Sequence, residues 1–270
     1  MKIDELRKKP HLSASSINDY LDCGLLYKLG RILKLQPEIR PDALEFGSII
    51  HKVLAEFYRN KLEGEIVSLS DLQILFGAWW NKATENGPEI TYKDGKNAEV
   101  LLKEGKNLLS AYYAKLPRDD FNVLAIEEPF TFTVPGLPVP IIGVHDLVEE
   151  DESRNIIITD WKTASKAYSE DDVNKNLQLT IYGMAAKANG YKDKDILMRF
   201  HCLIKTQTPK FAEYYTTRSE MDEMRALKKI RHVWDGISKG VFIPIESWKC
   251  KGCSYRAACN EWFKEEEQSL

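Results

Sequence analysis

The chain has 270 residues, 43% of them apolar, enough for one large domain or two small ones with a sizeable core. Its net charge of −3 excludes a generally basic nucleic-acid coat but leaves room for a local basic groove. No apolar run reaches the roughly 18 residues of a transmembrane helix, and the opening MKIDELRKKPHLS lacks the apolar stretch of a secretory signal, so the cytoplasm is the expected location.

In chain order, Ser13, Ser15 and Ser16 are good N-caps ahead of the periodic run Ile17, Tyr20, Leu21, which predicts a helix within 13–36 with Cys23 near its end. Phe46, Ile49, Ile50, Val53, Leu54 and Phe57 recur at helical spacing and predict a second helix over 44–62 with a buried stripe. Two more helices are expected over 70–86 and 97–116, joined by the polar stretch 87–96. Strand composition then takes over at 123–134, 141–150 and 155–163, the last two forming a hairpin around DESR. Residues 172–189 return to helix, 196–206 and 211–218 are strands, and a long amphipathic helix covers about 219–239. The last segment holds three cysteines and ends in an acidic tail. This order predicts an α/β fold with a helical insertion in one unit. The basic groups Arg225, Lys228, Lys229, Arg231 and Lys249, Lys251, Arg256 read first as solvated faces.

Asp160 and Lys162 are two apart on a strand, so both side chains leave the same face. Asp146 lies on the partner strand and can approach Asp160 across the hairpin. Two adjacent carboxylates repel unless a divalent cation joins them, and a nearby lysine can hold water and offset charge on a phosphate. His51, off the centre of its apolar stripe, is a candidate third ligand, with Gly47 one turn earlier leaving room beside it. Taken singly, a helix histidine is commonly a satisfied boundary residue, and D-x-K is commonly a surface ion pair.

Cys250, Cys253 and Cys259 read C-x2-C-x5-C, and Cys23 lies far upstream. In a reducing compartment such clusters bind metals more often than they form disulfides. Four thiolates can hold either Zn²⁺ or a [4Fe–4S] cluster. Cys202, in an apolar strand, reads as a buried free thiol.

Taken in order, S-x-S-x-I-x-x-Y-x-x-C (Ser13 to Cys23), F-G-S-I-I-H (46–51), G-V-H-D (143–146), D-W-K-T (160–163), Q-L-T-I-Y (178–182) and the cysteine triplet resemble the PD-(D/E)xK nuclease superfamily, in its RecB/Cas4-like branch. The resemblance spans 13–259. It implies a restriction-endonuclease-like mixed sheet flanked by helices, with the helical insertion, and with the two terminal segments joined by a metal cluster. It divides the single nuclease unit 1–270 into an N-terminal arm (1–40), a helical region (41–120), a nuclease core (121–218) and a C-terminal part (219–270). It implies that His51, Asp146, Asp160 and the carbonyl of Trp161 hold Mg²⁺ or Mn²⁺. Lys162 is then the catalytic lysine, with Gln178 and Tyr182 beside it on one helical face. It favours [4Fe–4S] over Zn²⁺ on Cys23, Cys250, Cys253 and Cys259. Gly24 departs from the pattern, standing where many relatives have proline.

The implied function is metal-dependent hydrolysis of DNA phosphodiesters, as an exonuclease on single strands or ends, in repair, recombination or CRISPR adaptation. A helicase, a recombinase or CRISPR-adaptation proteins are the implied partners. Tyr20, Tyr27 and Trp161 are candidates for stacking bases, though the two tyrosines suit a core equally well. One competing reading is a DNA-end-binding adaptor subunit with little activity alone. Another is a zinc-binding regulatory protein with an accidental D-x-K.

Overall fold

Every residue from Ile156 to Trp161 is buried, which places this segment at the centre of a sheet covered on both faces. The computed structural model describes residues 2–86, 89–116 and 121–267. The start of the polar stretch 87–96, the end of the helical region 41–120 and the end of the acidic tail lie outside the described residues.

The chain runs through α1 (Ile3–Leu6), α2 (Ala14–Asp22), α3 (Gly24–Tyr27), β1 (Arg40–Pro41), α4 (Asp42–Leu62), α5 (Leu69–Asn86), β2 (Ile90–Thr91) and α6 (Ala98–Ala114). It continues with β3 (Asn122–Phe132), β4 (Ile141–Glu150), β5 (Ile156–Ala164), α7 (Glu170–Asn174), α8 (Leu177–Ala186), β6 (Ile196–Ile204), β7 (Lys210–Thr216), α9 (Glu220–Ser238) and α10 (Arg256–Glu267). Among the described residues, β3 to β7 form a five-stranded mixed sheet in sequence order. Only β5 and β6 pair in parallel there. A parallel pair needs a crossover, and α7 and α8 supply it.

Side chains alternate across the strands, so each strand feeds two cores. On one face Ile158, Phe200 and Phe130 pack with Ile17 of α2, Leu179 and Ile181 of α8 and Ile230 of α9. On the other, Trp161 and Leu203 pack with Phe46, Ile50 and Val53 of α4, Phe76 and Trp80 of α5 and Leu108 of α6. The α4 stripe is the one its periodicity predicts. Asp42 and Glu45 near its start and Arg59 and Lys61 near its end suit the helix dipole.

Two expected helices are broken. The first stops at Asp22 because Cys23 is extended (φ −167°, ψ 114°), and α3 starts afresh at Gly24. The break lets Gly24 N–H donate to the carbonyl of Ile243 at 2.9 Å. A Cβ on Gly24 would lie 2.7 Å from the Ile243 nitrogen, so only glycine permits this approach. The second, over 172–189, is interrupted before Asn176, whose side chain accepts the N–H of Leu179 and caps α8 as a separate helix. The short β1–β2 pair and α10 were not expected from periodicity. In the last segment a 3₁₀ turn over Trp248–Gly252 carries Cys250. No described helix is long and apolar enough to cross a membrane.

Candidate active site

Strands β4 and β5 are paired from Glu150↔Ile156 to Leu147↔Thr159, and there the ladder ends. The next positions are Asp146 and Asp160. The Asp146 carboxylate accepts the N–H of Trp161 at 2.9 Å, taking a bond that a backbone carbonyl takes in an unbroken ladder. β4 then leaves β5 and follows β3. In β3, Glu127 adopts a left-handed conformation (φ 49°) between the rungs Ile126↔Leu147 and Glu128↔His145. Its carboxylate pairs with Arg59 of α4. Irregular strand geometry thus coincides with the carboxylates, as is common beside functional sites.

Asp160 is 1% exposed. Its Oδ1 accepts from Gln178 Nε2 at 2.8 Å. Its Oδ2 stands 2.6 Å from Lys162 Nζ, an ion pair outside hydrogen-bond geometry. Lys162 Nζ donates to Gln178 Oε1 at 2.9 Å, and Gln178 Nε2 also donates to Tyr182 Oη at 2.8 Å. A cation on one side and a carboxylate on the other dictate which way the Gln178 amide faces. The Asn176 cap sets α8 so that Gln178 and Tyr182, one turn apart, face the strand. Burial pushes the Asp160 carboxyl above its ordinary range, against the pull of Lys162. Burial alone would lower Lys162, but Asp160 outweighs it and the ammonium is held above its ordinary value.

His51 reaches the same place from α4. Its Nδ1 lies 3.3 Å from Asp146 Oδ2, and its ring meets Trp161 edge-on at 5.8 Å. Burial would lower the imidazole, yet the charge and hydrogen bond of Asp146 raise it. A Cβ on Gly47 would sit 3.5 Å from Thr163 Oγ1, an ordinary contact, so α4 passes beside β5 here. The structure therefore brings His51, Asp146, Asp160, Lys162, Gln178 and Tyr182 together.

The base-stacking expectation fails for Trp161. Trp161 is fully buried and stacks on Tyr58 at 5.8 Å. Tyr20 donates its hydroxyl to the carbonyl of Val241 at 2.6 Å. Tyr27, 7% exposed, stacks on Phe242. Both tyrosines hold the C-terminal segment against the arm.

Periodicity also missed buried polar residues, His145 and Arg199 among them. His145, inside the G-V-H-D stretch, packs 4.5 Å from Phe130 and bonds the Tyr182 carbonyl at 3.2 Å. Burial lowers it to about 4, so it is neutral at pH 7. Arg199, the one arginine in ILMRFHCLI, is fully buried in β6. It bonds Thr159 Oγ1 and the Tyr215 hydroxyl, each at 2.9 Å, and pairs with Glu149 and Glu213.

The donor set of His51, Asp146 and Asp160 suits a hard divalent cation, with the imidazole making Mn²⁺ at least as apt as Mg²⁺. The buried Asp160 Oδ2 accepts no hydrogen bond and faces the Lys162 ammonium at 2.6 Å, so a cation bound there would share this oxygen with Lys162. Among the described residues no set of three or more His, Cys, Asp or Glu side chains stands ready at metal-holding distance. The four cysteines are neighbours all the same: burial, and then the nearness of Cys23, Cys253 and Cys250, raises the Cys259 thiol. Cys23 Sγ accepts the N–H of Ile245 and Cys250 Sγ that of Ser247, each at 3.4 Å. Around them Glu38 accepts the N–H groups of Ala257 and Ala258, and Lys249 pairs with Asp22 at 2.6 Å. Cys202 stands apart, fully buried, with its thiol pushed up to about 12.

The family model of the PD-(D/E)XK nuclease superfamily matches residues 11–260. The chain is similar to a subunit of an ATP-dependent helicase/deoxyribonuclease of Clostridioides difficile, 23% identical over 241 residues, which cover 78% of this chain and 21% of that protein. It is also similar to an uncharacterized protein of Rickettsia conorii, 26% identical over 164 residues, or 56% of this chain and 18% of that one. The chain thus spans about a fifth of the length of the curated relatives it matches. A solved structure from Eubacterium rectale, provisionally described as an exonuclease, aligns over 91% of this chain and 87% of its own with a TM-score of 0.52 at 12% identity, a likeness of fold.

Proposed function

The chain belongs to the PD-(D/E)XK nuclease superfamily, and from that premise we propose that it is a metal-dependent deoxyribonuclease that trims single-stranded DNA or DNA ends. The observation that carries this reading is the network Asp160–Gln178–Lys162, which fixes a buried carboxylate and an ammonium side by side, with His51 and Asp146 adjoining.

His51, Asp146, Asp160 and the carbonyl of Trp161 would hold Mg²⁺ or Mn²⁺. When bound, the cation supplies Lewis acidity toward a phosphate oxygen and lowers the pKa of a water. Lys162 stays protonated, because its ammonium is stabilised by Asp160. It donates a hydrogen bond to the attacking water and offsets the negative charge that grows on the phosphate. Gln178 keeps Lys162 and Asp160 in register, and Tyr182 and the neutral His145 brace Gln178 from behind.

Cys23, Cys250, Cys253 and Cys259 are assigned to a [4Fe–4S] cluster that ties the C-terminal segment to the arm, with Zn²⁺ as the alternative occupant. Its role is structural. By analogy with a disulfide, closing so long a loop removes unfolded-state entropy worth at most roughly 5 kcal/mol. The helicase named in the Clostridioides relative supports a helicase as working partner. The length of the relatives also favours a second reading, a DNA-end-binding subunit of a larger assembly with little activity alone.

The two readings part in a time course on end-labelled single- and double-stranded DNA, with anaerobically purified protein and added Mg²⁺ or Mn²⁺. Shortening of the labelled strand only when metal is added supports the nuclease. Binding without cutting under every metal condition favours the adaptor.

A further inference from the structure

Beside Asp146, Gln178 and Tyr182 a cleft of about 720 Å³ opens toward the N-terminal arm. Its far wall is made by α1, the loop that follows it, the first turn of α2 and the segment after α3. That wall carries Arg7, Lys8, Lys9, Arg31 and Lys34, and Asp146 is the only carboxylate that lines the cleft among the described residues. A chain of net charge −3 has therefore gathered five cations on one side of one cleft. Two of the five are partly engaged, Arg7 with Asp4 at 3.5 Å and Arg31 with Asp19 at 2.7 Å. Lys8, Lys9 and Lys34 are exposed and have no carboxylate partner among the described residues.

We propose that this wall is a phosphate-binding subsite for single-stranded DNA, with Lys8, Lys9 and Lys34 as its principal contacts, that leads the strand to Asp146 and Asp160. The proposal rests on the nuclease reading and adds where the strand lies and in what form. Lysines without carboxylate partners bind a polyanion without first breaking an ion pair, so they contribute to affinity through counterion release. The opposite wall, Ile142, Gly143 and Val144, is uncharged and leaves the cations to set the path of the backbone. The cleft has the volume of a small-ligand site. It takes a few nucleotides of one strand. The basic groups on α9 and in the cysteine segment lie outside this cleft.

The test is binding of a fluorescein-labelled single-stranded oligonucleotide, followed by anisotropy across a salt series without added divalent metal. Lys8→Ser/Lys9→Ser/Lys34→Ser is compared with the full chain and with a control, Lys228→Ser/Lys229→Ser/Arg231→Ser. Each phosphate contact on a single strand contributes about 0.7 to the slope of log K against log salt, so the arm variant should be shallower by about 2 and bind tenfold or more weakly at low salt. The control should match the parent, and both variants should match its thermal melt. An unchanged slope in the arm variant overturns the subsite even if the protein cuts DNA. A shallower slope in a protein that binds but never cuts keeps the subsite and removes the nuclease reading. A parent that binds no single strand overturns the proposal.

Discussion

Lys162 Nζ donates to Gln178 Oε1 at 2.9 Å, so a neutral amide from a helix, together with the Asp160 carboxylate, holds the ammonium in place. Gln178→Ala should therefore lower the single-turnover cleavage rate by about 100-fold, the scale of loss when a reacting group is misplaced by about an ångström. Gln178→Glu, which can still accept from Lys162 but cannot donate to Asp160, should recover only part of the rate. KM for DNA should change little in both, since the residue acts through Lys162. A large rise in KM with kcat intact would instead place Gln178 on the substrate.

Cys250→Ala should bleach the visible absorbance of the anaerobically purified protein and lower its melting temperature. Metal analysis should find iron in the parent, near four atoms per chain for the cluster. Loss of cutting should track loss of fold: at a temperature where the variant is fully folded, its rate should approach the parent's. A folded variant with no activity would place the cluster in the chemistry.

Gly24 touches the backbone of Phe242 and Ile243, with no space for a Cβ. Gly24→Ala should destabilise by about 1–3 kcal/mol, the usual cost of overpacking. Gly24→Pro should cost more, because it also removes the N–H that bonds Ile243. Urea melts measure both, and proteolysis should begin earlier in the C-terminal segment. A stabilised Gly24→Pro would show that the segment docks differently.

His201 is fully buried in β6, with Nε2 3.0 Å from Glu213 and Nδ1 3.3 Å from the Tyr112 hydroxyl. Burial, and next the nearby Arg199, depress it to about 4. Its folded pKa lies below its unfolded value of about 6.5, so the unfolded chain binds the extra proton first. Its contribution is complete above pH 6.5 and is lost as pH falls toward 4, by up to about 3 kcal/mol. His201→Gln should make the loss of urea stability across that window shallower, with His145, also lowered to about 4, still contributing. Parallel loss in parent and variant would assign the acid sensitivity to other groups.

Much of this was readable from residues. β4 matches the expected 141–150 because Pro140 precedes it and the DESR turn follows, and α4 follows its apolar stripe. The family's order of motifs placed His51, Asp146, Asp160, Lys162, Gln178 and Tyr182 as one constellation, and the geometry brings them together. What was not readable depends on contacts distant in sequence. The break at Cys23 exists because Gly24 meets Ile243, which lies beyond α9. Trp161 looks like a stacking residue until Tyr58 covers it. The basic wall has no sequence signature, because Lys8, Lys9 and Lys34 are dispersed among ordinary surface residues and only the folded arm sets them beside Asp146.

The most direct measurement is the single-turnover cleavage rate of an end-labelled single strand with Mn²⁺, for the parent and for Asp160→Asn. The variant keeps the volume and the bond to Gln178 but loses the charge. The rate should fall by at least about 1,000-fold, while the melting curve and visible absorbance stay close to those of the parent. Equal rates in parent and variant would contradict a nuclease centred on Asp160.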